Sequence, residues 1–316
     1  MSAISPDLSS FASETWPSLP IAEWSDTCTT LQLWMQVVGK IRLALVPPIN
    51  HSWNVTLYPT IRGVSTAPMP YGRGMLQIDF DFVDHVLWVM TSSHNRSYGM
   101  DLEPMPVSHF YGKLMEGLES LSTPVRIWPM PMEVADPVRL DRDEVHSAYD
   151  AEYAQRFWRV LLQTMRVFTA FRARFRGKVS PIHLFWGAMD LACTRFSGRT
   201  APEHASMPGL PDRVTRDAYS HEVSSAGFWP GGGGVDAMFY SYAYPEPPGY
   251  RQYAIRPAAA AFSEAFGEFV LPYEAMRTSP DPDAALLDFV QTTYDAAAEC
   301  AHWDREALEV PGDASH

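Results

Sequence analysis

Cysteine and basic residues are both scarce in this chain of 316 residues, and each scarcity excludes a class of protein. Cys28, Cys193 and Cys300 are too few and too widely spaced for a disulfide framework or a Cys-x-x-Cys metal site. With 24 Lys plus Arg against 37 Asp plus Glu, the formal net charge is -13. Nonspecific binding of nucleic acid or of anionic membranes needs a basic surface. We therefore expect neither nucleic acid nor a membrane among the partners.

Long hydrophobic runs and familiar catalytic motifs are also absent. No stretch approaches the ~18 apolar residues that suggest a membrane-spanning helix, and the first residues lack a basic start and an apolar segment. These features predict a cytoplasmic protein. The chain has no Gly-x-Ser-x-Gly nucleophile elbow, and the glycines at 231–234 match neither a dinucleotide-binding nor a Walker A sequence. A mobile hairpin loop and a loop that presents its amides to an anion both fit these glycines.

Aromatic side chains are abundant: they make up 13% of the residues and include 10 tryptophans. Such side chains fill cores and also line small-molecule pockets. The length fits one large domain or two medium ones, with enough apolar residues for a sizeable core.

Hydrophobic periodicity predicts both helices and strands. The predicted helices cover 27–45, 109–121, 152–176, 257–276 and 282–300, and the predicted strands cover 51–66, 182–196, 220–229 and 237–244, with a hairpin over 76–92. This pattern predicts an α+β protein with mixed or antiparallel sheet. Composition divides the chain into a loosely ordered end (1–15), a first half (16–131), an acidic connector (132–150), a second half (151–305) and a tail (306–316).

Two aromatic segments resemble each other at a spacing of 133 residues. PPINHSWNVTLYPTIRG in the first half aligns with SPIHLFWGAMDLACTRFSGR in the second, and the matched residues include Pro48 with Pro181, Trp53 with Trp186, and Arg62 with Arg195. The similarity predicts an internal duplication, in which two related helix-strand-strand-helix halves share a sheet or pack face to face within one compact unit, 16–305. Chance similarity between two aromatic strands is the alternative.

Charged and polar side chains interrupt the apolar strands between residues 182 and 222. Burying such groups costs several kcal/mol, about 2–7 for a polar group, unless they are paired or bound, so their presence favours a functional site. The candidate catalytic residues are His183, His221, Glu222 and Asp190, and the candidate substrate-binding residues are Arg195, Trp186, Trp229 and Tyr242. On one regular strand over 182–196, His183 and Arg195 share a face and Asp190 points to the other.

His183 and His221 are also candidate metal ligands, because imidazole together with a carboxylate is a ligand set of iron and zinc. The spacing matches no His-Glu-x-x-His or His-x-His motif, and the adjacent His221 and Glu222 point to opposite faces of a strand. Metal-free acid–base catalysis, with Arg195 holding an anionic group, fits the same residues. A buried structural histidine and a Glu222–Arg ion pair fit them as well.

Several long peptides resemble an uncharacterised bacterial family, domain of unknown function 5996. They are GKIRLALVPPINHSWNVTLYPTIRG, RIWPMP, SPIHLFWGAMDLACTRFSGR, YSHEVSSAGFWPGGG and YSYAYPEP. The similarity extends from Trp16 to Trp303. It implies a soluble bacterial protein in which this stretch is one family unit, and it implies no reaction and no catalytic residues.

We therefore predict an enzyme that acts on a small organic molecule in an aromatic-lined cleft. In one version of this prediction the molecule is an anion. The sharper version is metal-dependent, with iron or zinc. The alternative is a non-catalytic ligand- or partner-binding protein in which the histidines, arginines and carboxylates form a structural network. A small-molecule substrate or ligand is the partner that the sequence predicts.

Overall fold

The computed structural model describes residues 15–93, 96–206 and 211–311, which contain seven α-helices and two six-stranded antiparallel sheets. The helices are α1 (Ile21–Leu45), α2 (Val107–Ser120), α3 (Ala151–Ala173), α4 (Asp212–Ala218), α5 (Tyr273–Arg277), α6 (Pro282–Cys300) and α7 (Arg305–Leu308). The α+β class predicted from the sequence is confirmed. None of the helices in these ranges has the length and hydropathy needed to span a bilayer.

The first sheet contains six strands from the first half of the chain. They are β1 (Tyr58–Thr60), β2 (Gly63–Ser65), β3 (Met69–Tyr71), β4 (Gly74–Asp81), β5 (Val86–Thr91) and β6 (Arg96–Asp101). The order is β1-β2-β4-β5-β6, with β3 also paired to β4. Leu76, Ile78 and Phe80 alternate along β4 and are buried, as the period of two in the predicted hairpin requires. That hairpin is confirmed as β4 and β5.

The second sheet contains the strands of the second half. They are β7 (His183–Phe185), β8 (Asp190–Thr200), β9 (His221–Trp229), β10 (Met238–Tyr244), β11 (Ala261–Ser263) and β12 (Glu268–Pro272), in the order β11-β12-β10-β9-β8-β7. The helix predicted over 257–276 is wrong. Pairing of β12 with β10 overrides the helical propensity of this alanine-rich segment, and Gly267 turns the chain at a φ of 71°.

A reverse turn at 186–189 divides the segment that the sequence predicted as one strand. β7 and β8 pair as a hairpin, with His183 opposite Ala192, and Met189 takes the left-handed conformation with a φ of 58°. Paired residues share a face, so His183 and Asp190 point to one side of the sheet and Arg195 points to the other. The predicted common face of His183 and Arg195 is therefore wrong, because the turn reverses the chain between them.

One residue pair joins the two sheets. Leu57, just before β1, exchanges two backbone hydrogen bonds with Leu184 of β7, at 2.9 and 2.8 Å. The internal duplication is not confirmed: Asn50–Ser52 forms a short 3₁₀ turn, whereas the residues 133 positions later form β7. The predicted strand over 51–66 is likewise this turn followed by β1 and β2.

Helix α1 begins six residues before its predicted start. The backbone N–H of Ile21 donates to Oδ1 of Asp236, 3.0 Å away, so a distant loop satisfies an N–H that the helix itself cannot. Trp24 lies one turn further along and is buried against Phe157 of α3. Tertiary contacts therefore extend this helix beyond the periodic segment 27–45.

Candidate functional site

A cavity of about 760 Å³, which we call the cleft, lies where the two halves of the chain meet. Its wall combines the end of α1, the 3₁₀ turn Asn50–Ser52, the segment 128–133, the β7–β8 turn and α4. Aromatic side chains form part of this wall, namely Trp128, Phe185 and Trp186. Volumes of about 300–1,000 Å³ and largely apolar walls are typical of small-molecule sites.

Lys40 is a cationic residue in the wall of the cleft. The residue is only 6% exposed, and its ammonium lies 5.6 Å from the ring centroid of Trp186. Within the described ranges, Lys40 makes no ion pair and no hydrogen bond through its side chain. Burial lowers its pKa, because the apolar surroundings disfavour the charged form. An anion in the cleft would supply the missing partner.

A polar stripe on α1 positions this lysine. Gln32, Gln36 and Lys40 are spaced by four residues and so lie on one side of α1, among residues that are otherwise apolar from 31 to 41. The Gln36 amide donates to the carbonyl oxygen of Met132 and accepts from its N–H, both at 2.8 Å. Gln32 donates to the carbonyl oxygen of Gly187 at 2.5 Å. These hydrogen bonds hold two parts of the cleft wall, the segment 128–133 and the β7–β8 turn, beside Lys40.

Glu133 follows Met132 and lines the cleft as well. A Cβ atom at Gly187 would lie 2.0 Å from Oε1 of Glu133, so the carboxylate lies directly against the backbone of Gly187. Burial of the carboxyl and the charge of Asp190 raise the pKa of Glu133 to about 7, although the residue as a whole is exposed. A carboxyl that titrates near neutral pH can both accept and donate a proton.

Asp190 and Glu268 lie next to this wall. Asp190 pairs with Phe185, a cleft residue, and accepts a hydrogen bond of 2.5 Å from the hydroxyl of Tyr240. Burial raises the pKa of Asp190 to about 6, against the opposing effect of the Tyr240 hydrogen bond. Burial and the charge of Asp190 raise the pKa of Glu268 to about 7. Asp190 therefore acts electrostatically on both Glu133 and Glu268, and we call these three residues the acidic wall.

Residues in and beside the wall of the cleft include three with strained, positive-φ backbone. His51 and Ser52 both have a φ of 58°, and Glu133 has a φ of 54°. Non-glycine residues rarely adopt this conformation, and those that do cluster at functional sites. Contacts with Asp217 of α4 hold the 3₁₀ turn: its carbonyl oxygen accepts from Nδ1 of His51 at 3.0 Å, and its carboxylate accepts from the N–H of Ser52 at 3.2 Å.

Two of the residues predicted from the sequence lie at or beside the cleft, and two others lie on the same face of the second sheet as Asp190. Trp186 lines it, and Asp190 is adjacent to it. Tyr242 stacks on Tyr240 with ring centroids 6.3 Å apart, and Trp229 lies on the same face of the sheet. Of the predicted site, the structure thus brings Trp186 and Asp190 to the cleft.

His183 and His221 are not brought together. His183 is opposite Ala192, which pairs with Gly227, six residues from His221 along β9. At ~3.3 Å per residue the separation along the strand is about 20 Å, too far for one ion to bind both imidazoles. Both nitrogens of His183 are buried without a hydrogen-bond partner in the described structure. Burial and the charge of Arg42 lower its pKa to about 3, so the ring is neutral.

No group of three or more His, Cys, Asp and Glu residues in the described ranges is arranged to hold a metal ion. Aromatic rings, which do not bind metal ions, pack against His183. They include Trp53 and Phe185, at centroid distances of 6.3 and 4.9 Å. The residues therefore do not fit the predicted iron or zinc site formed by His183 and His221.

Arg195 and Glu222 both lie in structural contacts away from the cleft. Arg195 is fully buried, with its guanidinium 3.5 Å from the ring centroid of Phe171 and 4.2 Å from that of Tyr294, and it donates to the carbonyl oxygen of Phe171. Burial lowers its pKa to about 10. Glu222 accepts from Arg199 at 2.6 Å. These placements fit the structural interpretation of both residues.

We expect Arg195→Lys to lower the free energy of unfolding by about 2 kcal/mol, because an ammonium cannot stack on the rings that the planar guanidinium contacts. Urea denaturation at neutral pH measures the change. Arg256→Lys is the matched control, because Arg256 is mostly exposed and pairs with Asp288 at 3.3 Å. Equal midpoints for the two variants would contradict the packing role of Arg195.

The sequence analysis missed Lys40 and Gln36 as site residues and did not assign Glu133 to the site. A signal existed in α1, where Gln32, Gln36 and Lys40 recur every four residues among apolar neighbours. For Glu133 the neighbouring residues carry no such pattern, because its position depends on the distant Gly187.

Comparison with known proteins gives a family and no function. No curated protein and no solved structure matches the chain. The family model DUF5996, described as a family of unknown function, matches residues 16–310. This match covers nearly the whole chain, including every residue of the cleft and of the acidic wall. The chain therefore belongs to the DUF5996 family.

Proposed function

We propose that the protein is an enzyme that acts on a small organic anion bound in the cleft. The observation that carries the proposal is Lys40, a residue only 6% exposed whose ammonium makes no ion pair within the described ranges, in the wall of a cavity of about 760 Å³. A charge held against apolar surface is costly unless it is paired, so Lys40 favours an anionic group beside it in the cleft.

The remaining residues of the cleft supply the other functions that a small-molecule enzyme needs. Trp186 and Phe185 offer apolar surface to the body of the ligand. Glu133 is the acid–base group, because its pKa of about 7 lets it exchange a proton near neutral pH. Asp190 is a positioning residue that keeps the pKa of Glu133 high through its charge. No metal is part of this proposal.

We expect Lys40→Met to lose binding of small anions while the protein stays folded. A panel of small carboxylates, organic phosphates and sulfonates is screened by thermal shift, and binding is confirmed by calorimetry. At least one compound should bind the wild type and bind the variant at least about tenfold more weakly, the loss expected for one charge-assisted contact. Lys113→Met is the matched control, because Lys113 is half-exposed and lies 3.8 Å from Glu103.

Retention of anion binding by Lys40→Met would overturn the proposal. The variant itself should unfold no earlier than the wild type, because methionine replaces an unpaired buried charge with an apolar side chain of similar length. A second outcome separates binding from catalysis. If an anion binds through Lys40 but Glu133→Gln changes the turnover of no bound compound, the protein is a non-catalytic binding protein and the enzymatic proposal is wrong.

A further inference from the structure

Trp128 is a large aromatic side chain that is left uncovered in the wall of the cleft. It is 71% exposed, whereas tryptophan is highly buried on average. In the described part of the chain, its indole packs against no other aromatic ring. Leu43 and Ile49, which are 38% and 46% exposed, line the same cavity. Exposed apolar side chains that share one cavity mark a binding surface.

Arg139 covers one face of this indole. Its guanidinium lies 5.8 Å from the ring centroid, within the range of a cation–π contact, and donates two hydrogen bonds to the carboxylate of Asp141, of 3.0 and 2.7 Å. Among the described residues, Trp128 lines the cleft and Arg139 does not. The indole surface that meets the cleft is therefore not the surface under the guanidinium.

Hydrogen bonds hold the segment that carries Trp128. The N–H of Leu140 donates to the carbonyl oxygen of Pro129 at 2.8 Å, which joins the residues that follow Arg139 and Trp128 in the chain. The other end of the segment is held to α1 by the two hydrogen bonds of Gln36. The backbone at the indole and the guanidinium over it are therefore in place before a ligand binds. Preorganised surface binds a ligand at a low cost in conformational entropy.

We infer that the ligand of the cleft is an aromatic anion, with a planar ring stacked on the free face of Trp128 and its anionic group at Lys40. The inference rests on the proposed function and adds the chemistry of the ligand's body. A planar ring covers an indole face fully and gains the attraction between stacked aromatic rings. Trp128 and Lys40 line one cavity of about 760 Å³, a volume typical of a site for a single small molecule.

Matched pairs of compounds test this inference on the full chain by calorimetry. Each pair holds an aromatic acid and its saturated counterpart, such as phenylacetate with cyclohexylacetate and naphthoate with decahydronaphthoate. The saturated ring is at least as apolar, so tighter binding of the aromatic acid measures stacking rather than burial of apolar area. Adenosine monophosphate with ribose phosphate extends the test to a nucleobase and a phosphate. In at least one pair the aromatic member should bind about fivefold tighter, the effect of one stacking contact.

Two variants separate the ring of the ligand from its charge. Trp128→Leu should weaken the aromatic member about fivefold, to the level of its partner compound, and leave that compound nearly unchanged. Lys40→Met should weaken both. Trp88→Leu is the matched control and should change neither, because Trp88 is 38% exposed on β5 and lies outside the cleft.

The outcomes distinguish this inference from the proposed function. If both members of every pair bind equally and still require Lys40, the aromatic ring is wrong and the proposed function stands. A preference for the aromatic member that survives in Trp128→Leu would also overturn the inference. If neither member depends on Lys40, both proposals are wrong, and if no pair binds, the aromatic class is wrong.

Discussion

Gly39→Ala is expected to lower the free energy of unfolding by about 3 kcal/mol, the upper part of the range for overpacking a core. A Cβ atom at Gly39 would lie 2.3–2.4 Å from three atoms of the Trp186 indole ring. The ring cannot retreat easily, because Trp186 is 5% exposed and its Nε1–H donates to the carbonyl oxygen of Val55 at 2.8 Å. The substitution therefore creates a steric clash between α1 and the β7–β8 turn.

Gly112→Ala is the control for Gly39→Ala. Gly112 lies within α2, and a Cβ there would meet no atom within 4 Å. The gain in helix propensity should then stabilise this variant by about 0.5–1 kcal/mol. Denaturant midpoints of the two variants should move in opposite directions. Equal and small changes would mean that Trp186 is free to move and that the wall of the cleft is not fixed.

Asp190→Asn is expected to stabilise the protein at about pH 8 by about 3 kcal/mol and to leave its stability at about pH 4 nearly unchanged. The pKa of Asp190 is raised from 3.8 to about 6, mainly by burial. Below the ordinary value, the folded and the unfolded chain both bind the proton. As the pH rises from about 3.8 through about 6, the unfolded chain releases this proton more readily than the folded chain, so the folded state loses stability.

Asparagine removes this loss because it cannot ionise, and its amide oxygen can still accept from the hydroxyl of Tyr240. The measurement is urea denaturation of variant and wild type at each pH, and the difference between the two proteins cancels the titrating groups that do not interact with Asp190. Asp26→Asn is the control, because Asp26 is exposed on α1. A constant difference across the pH range would show that the carboxyl of Asp190 titrates at its ordinary pKa.

Periodicity along the sequence predicted the elements whose stability is local. The helices α3 and α6 and the hairpin of β4 and β5 follow their apolar patterns closely. The segment 257–276 is different, because its alanines favour a helix while the edge of the second sheet offers hydrogen bonds to β12. Pairing with a distant strand decides the secondary structure of such a segment, and the local sequence does not reveal that pairing.

The candidate site was predictable only in part, for the same reason. Trp186 and Asp190 stood out as an aromatic residue and a charge within apolar strands, and both lie at the cleft. Because of the turn after β7, His183 and Arg195 lie on opposite faces of the sheet rather than on the predicted common face. One unpredicted turn within a segment reverses the predicted faces of all the residues beyond it. Lys40 and Glu133 are 93 positions apart, and only the folded chain places them on one cavity.

The bond pair between Leu57 and Leu184 also has a consequence for the order in which the protein is made. A contact between residues so far apart cannot form until most of the chain has left the ribosome, and long loops close slowly. The same delay applies to the first turn of α1, which waits for Asp236. A nascent first half therefore exposes α1 and the unpaired edge at Leu57 during synthesis, so chaperone demand should be greatest before residue 184 emerges.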